Sequence, residues 1–215
     1  MTTLISSIAI RALQALLEYQ RVIRALRDGL IESAAATADE RLRSLEQAAV
    51  LILLREVRGE VEVVLSRRAA HMRLHPGEIA FPGGRRDHSD EDEWHTALRE
   101  AEEEIGLHRN QAERLGQLEV LVTRSDIAVT PCVAGLGNIE VEFSANPQEL
   151  DEVFSAPLRH FSDPDQLTIE HIETSDGVRQ VPHYRYRHYD IWGVTAFMLV
   201  RLVNIGYNAG FQLKR

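Results

Sequence analysis

The segment from residue 81 to residue 107 constrains the fold of this chain most strongly. It begins with the turn sequence Phe81-Pro82-Gly83-Gly84, where paired glycines allow a tight turn or the close approach of a ligand. At about 100° per residue, one face of the later part is apolar and consists of Trp94, Ala97, Leu98, Ala101 and Ile105. Gly106 then provides a natural helix C-cap. The pattern predicts a loop, a helix over about residues 92–105 and a second loop.

Next to its apolar face, the predicted helix carries an acidic stripe. The stripe consists of Glu93, Glu100, Glu103 and Glu104. Carboxylates three and four residues apart repel one another by roughly a few tenths of a kcal/mol per pair. A hard divalent cation such as Mg²⁺ would relieve this repulsion, because it takes oxygen ligands, and Arg99 is placed to orient Glu103. A solvated acidic face is the alternative that periodicity alone leaves open.

The same segment resembles the Nudix box. The pattern of that family is Gly, five residues, Glu, seven residues, and then Arg-Glu-apolar-x-Glu-Glu-x-Gly-apolar. Residues 99–107, REAEEEIGL, match every fixed position of the second half. The first half departs by one residue, because six residues separate Gly84 from Glu91 and five separate it from Asp90. The outer acidic position is therefore either Asp90 or Glu91.

This resemblance implies a hydrolase that cleaves a nucleoside diphosphate linked to another group and uses Mg²⁺ or Mn²⁺ as cofactor. Carried over to this sequence, it makes Arg99, Glu100, Glu103 and Glu104 the catalytic residues, and the three glutamates among them the metal ligands. The base is either one of these glutamates or a carboxylate outside the box. Glu149 and Glu152 are the outside candidates, and the alternative is that both are ordinary exposed residues before a strand or turn.

Residues upstream of the box are similar to the signature of the coenzyme A diphosphatase branch of the family. That similarity rests on Leu65-Ser66, Arg68, Arg73, His75, Gly77 and the FPGG turn, and later on Thr130-Pro131 and residues 191–196. It implies cleavage of coenzyme A or its thioesters into 3′,5′-ADP and 4′-phosphopantetheine or its acyl form. Arg68, Arg73, His75, Gly83 and Gly84 are then the predicted substrate contacts, in agreement with the suitability of guanidinium groups for phosphate.

Several alternatives remain open at this stage. The arginines could instead be solvated or paired with the acidic helix, and His75 could pack within its loop. The substrate could be NADH, ADP-ribose, a dinucleoside polyphosphate or an oxidised nucleotide, since the box chemistry is common to all of them. A nucleotide-sensing module without catalysis is a third hypothesis, disfavoured because all three core glutamates of the box are present.

The remainder of the chain divides into three predicted units. Apolar residues at spacings of three and four over about residues 8–31 predict an amphipathic helix, followed by a break at residues 32–39 and a short helix around residues 40–47. This N-terminal helical extension, residues 1–46, is expected to pack on the main domain or on a second subunit, so a homodimer is one expectation. Residues 47–204 form the predicted Nudix domain, and residues 205–215 form a C-terminal tail.

Strands alternate with helices in the predicted domain. Strands are expected at residues 48–54, 61–65, 118–123 and 130–135 and within 182–191, and a final helix is expected at about residues 195–203. This mixed order predicts an α/β or α+β sandwich. The resemblance to the Nudix family narrows it to an α/β/α sandwich with a mixed β-sheet and a catalytic loop-helix-loop.

Composition limits the partners and the compartment. The longest apolar run has seven residues, against roughly 18 for a membrane span, and no positive charge precedes the N-terminal apolar stretch as in a secretory signal. A single cysteine, Cys132, fits a cytoplasmic protein. The net charge of -9 weighs against nucleic acid. Residues 84–104 hold nine acidic and three basic residues, so the acidity is concentrated where a metal would neutralise it.

Overall fold

The computed structural model describes residues 2–30, 40–137, 139–174 and 177–213. The helices are α1 (Thr2–Gly29), α2 (Glu40–Arg43), α3 (Glu93–Ile105) and α4 (Gly193–Tyr207). The strands are β1 (Glu46–Val57), β2 (Glu60–Arg68), β3 (Ile79–Ala80), β4 (Gly83–Arg85), β5 (Glu113–Gln117), β6 (Leu121–Val122), β7 (Ile127–Gly135), β8 (Leu150–Pro157), β9 (Leu167–Thr174), β10 (Gly177–Tyr186) and β11 (Tyr189–Trp192).

Eight of these strands form one mixed sheet with β1 at its centre. β1 pairs in parallel with β7, from Glu46 opposite Ile127 to Leu54 opposite Gly135. The other pairs are antiparallel: β2 with β1, β8 with β2, and β5 and β6 with β7. Strands β9, β10 and β11 form a separate antiparallel sheet. The predicted mixed sheet is confirmed.

The glycine turn lies between two strands that separate. β1 and β2 pair as a hairpin only from Leu54 opposite Val63 to the turn. Beyond that point β3 pairs with β2 and β4 pairs with β1, with Gly84 opposite Ala49. The Leu51 amide also donates to the carbonyl of Pro82 at 2.8 Å. These bonds hold Gly83 and Gly84 against β1, beside α3.

Alternating side chains of the sheet build two cores, one on each face. On one face, Leu51 and Leu53 of β1 join the apolar stripe of α3. On the other face, Ile52 and Leu54 join residues of α1, α4 and the small sheet. Helices therefore cover both faces of the sheet, which confirms the predicted α/β/α sandwich.

Helix α1 packs against the core of its own chain through its C-terminal half. Tyr19, Val22 and Leu26 are buried there. Gly206 of α4 makes room for them, because a Cβ at this position would lie 3.2 Å from Cγ1 of Val22. This is one of the two placements expected from the sequence. The predicted break at residues 32–39 lies outside the described residues, and a homodimer stays a prediction.

Several strand predictions need correction. The strand expected at residues 118–123 is replaced by β5 and β6, separated by three residues, and opposite this gap lies Pro131, which has no N–H to donate. Residues 182–191 form two strands with a turn at Arg187, where φ is 54°. The final helix reaches Tyr207, beyond the expected end at residue 203. Strands β8 and β9 have no counterpart among the predictions, because their sequences mix charged residues with apolar ones.

Candidate active site

Both ends of α3 are fixed by local hydrogen bonds. At the N-terminus, Oδ1 of Asp92 accepts the amide of His95 at 2.7 Å, a side-chain cap of an otherwise unpaired donor. At the C-terminus, Gly106 adopts a left-handed conformation with φ of 72°, and its amide donates to Glu102. The predicted helix is confirmed. Because both of its ends are fixed, the positions of its glutamates are fixed too.

The loop before α3 is held by a buried ion pair. The Asp90 side chain is fully buried, and it accepts Nε and Nη2 of Arg99, each at 3.0 Å. Oγ1 of Thr96 and the amide of Asp87 donate to the same carboxylate, both at 2.9 Å. The hydrogen bonds from Arg99 hold the pKa of Asp90 well below its usual range. Glu91 is exposed, so Asp90 occupies the outer acidic position.

Arg99 also reaches two glutamates of the box. Its Nη1 lies 2.9 Å from Oε1 of Glu100 and 3.3 Å from Oε2 of Glu103. The contact with Glu103 is the one expected from the spacing of one helical turn. A single guanidinium therefore links the buried Asp90 to Glu100 and Glu103 and fixes how these carboxylates are presented.

The two glycines of the turn give room to the glutamates and the central strand. The amide of Gly83 donates to Oε2 of the buried Glu104 at 3.0 Å. A Cβ at Gly84 would lie 2.4 Å from Oε1 of Glu100, and one at Gly83 would lie 2.4 Å from the carbonyl oxygen of Ala49. The sequence predicted that these glycines let a ligand approach the backbone closely. In the structure, carboxylates of the protein itself lie there.

The electrostatics of the site show an acidic cluster in which Glu100 and Glu103 pair with Arg99 while Glu104 has no ion-pair partner among the described residues. Burial raises the pKa of Glu104 to about 8, although the hydrogen bond from Gly83 lowers it. The charges of Glu100 and Glu149 raise that pKa further, and the charge of Arg68 lowers it. Burial raises the pKa of Glu100 as well, and Glu149 again contributes. Glu149 and Arg68 therefore act on the same site as the box glutamates.

The structure separates the two candidate bases outside the box. The segment carrying Glu149 crosses the end of α3, where the amides of Ser144 and Asn146 donate to the carbonyls of Ile105 and Glu104 at 3.0 and 2.8 Å. Glu152 instead accepts the hydroxyl of Tyr189 at 2.7 Å. Tyr189 belongs to the core on the opposite face of the sheet from α3. The geometry brings Glu149 to the site and holds Glu152 away from it.

The arginines upstream of the box fall into different environments. Nε of Arg68 is buried and has no hydrogen-bond partner among the described residues. Arg67 faces Asp151 and Glu152, and Arg85 pairs with Glu46 at 2.8 Å. Arg73 and His75 lie exposed on the loop after β2.

His75 contacts another residue of its own loop. Its Nδ1 lies 3.0 Å from Oε2 of Glu78, and its φ is 56°. Among the predicted substrate contacts outside the glycine turn, Arg68 is the one whose charge lowers the pKa of Glu104.

Two other side chains with reactive or polar groups belong to the cores. Tyr184 is fully buried and donates its hydroxyl to the carbonyl of Phe161 at 2.9 Å. Cys132 is buried, and burial raises the pKa of its thiol to about 12, which makes it unreactive. The sequence missed Thr96 and the segment at residues 144–148. Neither had a signal, since Thr96 occupies a variable position of the box and the segment acts mainly through backbone groups.

Comparison with known proteins agrees with this geometry. The family model described as NUDIX domain matches residues 45–175. The chain belongs to the Nudix hydrolase family. It is 35% identical over 169 residues to "Nudix hydrolase 15, mitochondrial" of Arabidopsis thaliana, covering 75% of this chain and 59% of that protein. It is 37% identical over 161 residues to "Uncharacterized Nudix hydrolase NudL" of Yersinia pestis (strain Pestoides F), covering 73% of this chain and 77% of that protein.

A solved structure shows the same fold. The crystal structure of a MutT/nudix family protein from Enterococcus faecalis superposes with a TM-score of 0.50 at 16% identity, covering 76% of this chain and 62% of that chain. As a Nudix hydrolase the protein acts on diphosphate bonds, and members of the family generally use divalent metal ions. None of the described helices is both long and apolar enough to span a membrane.

The donor groups of the site fit such an ion. Glu100, Glu103 and Glu104 offer carboxylate oxygens, which hard divalent cations prefer. Burial, and after it the charges of Glu100 and Glu149, raise the pKa of Glu104, and a bound cation would offset both causes. In the described part of the chain, no three acidic, histidine or cysteine side chains are already gathered as a metal site. Arg99 holds Glu100 and Glu103, so a cation would compete with Arg99 for them.

Proposed function

We propose that this Nudix hydrolase cleaves the diphosphate of coenzyme A or its thioesters, releasing 3′,5′-ADP and 4′-phosphopantetheine or its acyl form. The observation that carries the proposal is the position of Arg68, a residue of the coenzyme A diphosphatase signature. Its charge acts on Glu104, and its buried Nε has no hydrogen-bond partner among the described residues. A buried unpaired donor is costly, and a phosphate oxygen of the substrate would satisfy it.

Glu100, Glu103 and Glu104 would hold the divalent ion, Mg²⁺ or Mn²⁺. When bound, such an ion neutralises the diphosphate and lowers the pKa of the attacking water. The chain supports this arrangement by fixing its own carboxylates: Arg99 orients Glu100 and Glu103, and the Gly83 amide holds Glu104. Little covalent chemistry is then required of the protein.

Glu149 is the proposed acceptor of the proton from the attacking water. This role is supported by the segment before Glu149, which bonds to the end of α3, and by the charge of Glu149, which raises the pKa of both Glu100 and Glu104. A carboxylate outside the ligand set is suited to this task, because its lone pairs are not occupied by the ion. Arg68 binds a phosphate oxygen in the same proposal, while Arg73 and His75 stay predicted nucleotide contacts.

A panel of diphosphates tests the substrate. Coenzyme A, dephospho-coenzyme A, acetyl-coenzyme A, NADH, ADP-ribose, a dinucleoside polyphosphate and an oxidised nucleotide are each incubated with the protein and Mg²⁺ or Mn²⁺, and products are separated by chromatography. We expect 3′,5′-ADP from the coenzyme A compounds as the fastest product. Preferential cleavage of another compound would refute the assignment of coenzyme A as substrate, but the assignment of the protein as a diphosphatase would stand.

A matched pair of variants tests the role of Arg68. Arg68→Lys keeps the charge but removes the planar donor set, and we expect kcat/KM for coenzyme A to fall by about tenfold to a hundredfold. Arg58→Lys is the control, because Arg58 is exposed in the β1–β2 turn. Equal activity of the two variants would contradict the proposed phosphate contact.

Location in the cytoplasm stays a prediction.

A further inference from the structure

We propose that His71 is a positioning residue that fixes Glu149 for proton transfer. The inference rests on the proposed role of Glu149 as the acceptor of the proton from water. Nε2 of His71 lies 3.0 Å from the carbonyl oxygen of Gln148. A carbonyl oxygen only accepts hydrogen bonds, so His71 donates from Nε2 and holds the peptide directly before Glu149.

The peptide groups on both sides of the Glu149 Cα are held. The preceding peptide accepts His71 at its carbonyl, and its amide, that of Glu149, donates to the carbonyl of Asn146 at 3.0 Å. The following peptide accepts the Ala69 amide at 2.8 Å through the Glu149 carbonyl. With both peptide planes restrained, the φ and ψ of Glu149 are restrained too, and with them the direction of its Cα–Cβ bond.

Two hydrogen bonds in the described part of the chain join the Glu149 peptides to the loop after β2. The bond from His71 is made by a side chain. The other, from Ala69, is a backbone bond. Ala69 directly follows Arg68, so one short segment carries the proposed phosphate contact and also restrains the proposed base. This arrangement sets the position of the base relative to the substrate.

The position of His71 on the surface separates this role from a folding role. His71 is exposed, so its replacement removes one exposed hydrogen bond and little packing. A catalytic group, by contrast, loses effect steeply when it shifts by a fraction of its hydrogen-bond distance. Loss of the His71 bond should therefore lower turnover far more than it lowers stability.

The test combines replacements at positions 71 and 149, assayed with whichever diphosphate of the panel is cleaved. His71→Leu removes the donor, and we expect kcat to fall about tenfold with KM nearly unchanged. His71→Gln restores an N–H donor and should recover most of kcat. In the Glu149→Gln background, His71→Leu should produce no further loss, because its effect passes through Glu149. The control variant is His188→Leu. His188 is also an exposed histidine, and its ring packs on Tyr189.

Each outcome decides one assignment. If Glu149→Gln retains full activity, the proposed base is wrong, and the role of His71 falls with it. If Glu149→Gln is impaired but His71→Leu is not, or if His71→Leu is equally harmful in both backgrounds, the base stands and the role of His71 is overturned. A thermal unfolding midpoint is measured for every variant. Should His71→Leu fail to fold, His71→Ala and His71→Gln provide the same comparison.

Discussion

A buried carboxylate lies near each end of α3, and the surroundings shift the pKa values of the two in opposite directions. The side chain of Asp90, before the helix, is fully buried and pairs with Arg99, which lowers the pKa of Asp90. Glu104, at the end of the helix, is 3% exposed and has acidic neighbours, and its pKa rises to about 8. A neutralised buried carboxylate serves the fold, whereas an unneutralised one is typical of a functional site.

Glu104→Gln should produce the largest effect and act on catalysis alone. The change removes a proposed metal ligand, so turnover should fall about a thousandfold. Folding should be retained, because a neutral amide is less costly to bury than a charge. Steady-state rates and circular dichroism measure the two effects.

Glu102→Gln is the matched control on the same helix. Glu102 points away from the cluster and pairs with Arg109 at 2.9 Å. Comparable rates for Glu104→Gln and Glu102→Gln would contradict the proposed metal site.

Asp90→Asn should show the opposite pattern, because its main effect should be a loss of stability rather than of turnover. Removing the charge leaves Arg99 without its buried partner, and breaking such a pair costs about 3 kcal/mol of unfolding free energy. Urea unfolding followed by fluorescence measures this loss. Glu91→Gln, at the exposed neighbouring carboxylate, should change stability by less than about 0.5 kcal/mol. An Asp90→Asn protein as stable as the wild type would show that the pair does not serve the fold.

The adjacent glycines should separate the same two properties. Gly83→Ala places a methyl group against backbone atoms of Ala49 and Val50, so it should destabilise the fold by about 2 kcal/mol. Gly84→Ala meets the end of the flexible Glu100 side chain, so it should lower turnover about tenfold while the fold remains. Melting temperatures and rates for both variants test this contrast, which would fail if the two changes had the same effects.

The depressed pKa of Asp90 gives the smallest effect, a change in the acid dependence of stability. Its folded pKa lies below the unfolded value of about 3.9. The stabilisation is therefore complete above the unfolded pKa and is lost as pH falls toward the folded pKa. The gap in unfolding free energy between wild type and Asp90→Asn should be widest near neutral pH and should narrow below about pH 4. A constant gap would contradict the assignment.

Local patterns explain which parts of the structure were predictable. The apolar stripe of α3, the apolar run of β1 and the β-branched residues of β2 are read from adjacent residues, and the structure confirms these elements. The choice between Asp90 and Glu91 was not readable, because burial and the bonds from Thr96 and Arg99 decide it. These contacts depend on how the loop folds back onto the helix.

The choice between Glu149 and Glu152 shows a second limit. Glu152 lies in β8, whereas Glu149 lies in the turn directly before it, and the sequence does not tell which of the two faces the active site. The register also shifts between Arg67, opposite Glu152, and Arg68, opposite Leu150. The pairing of β8 with β2 therefore decides which carboxylate reaches α3, and such a long-range contact leaves no local pattern.

The most direct test of the central claim is the affinity of the protein for Mn²⁺, measured by electron paramagnetic resonance on the wild type, Glu104→Gln and Glu102→Gln. If the cluster at the end of α3 is a cation site, the wild type and Glu102→Gln should bind the ion equally. Glu104→Gln should then bind it at least about tenfold more weakly, a loss of about 1.4 kcal/mol. Equal affinity in all three proteins would contradict the claim that the unneutralised carboxylates of this cluster serve to bind a metal ion.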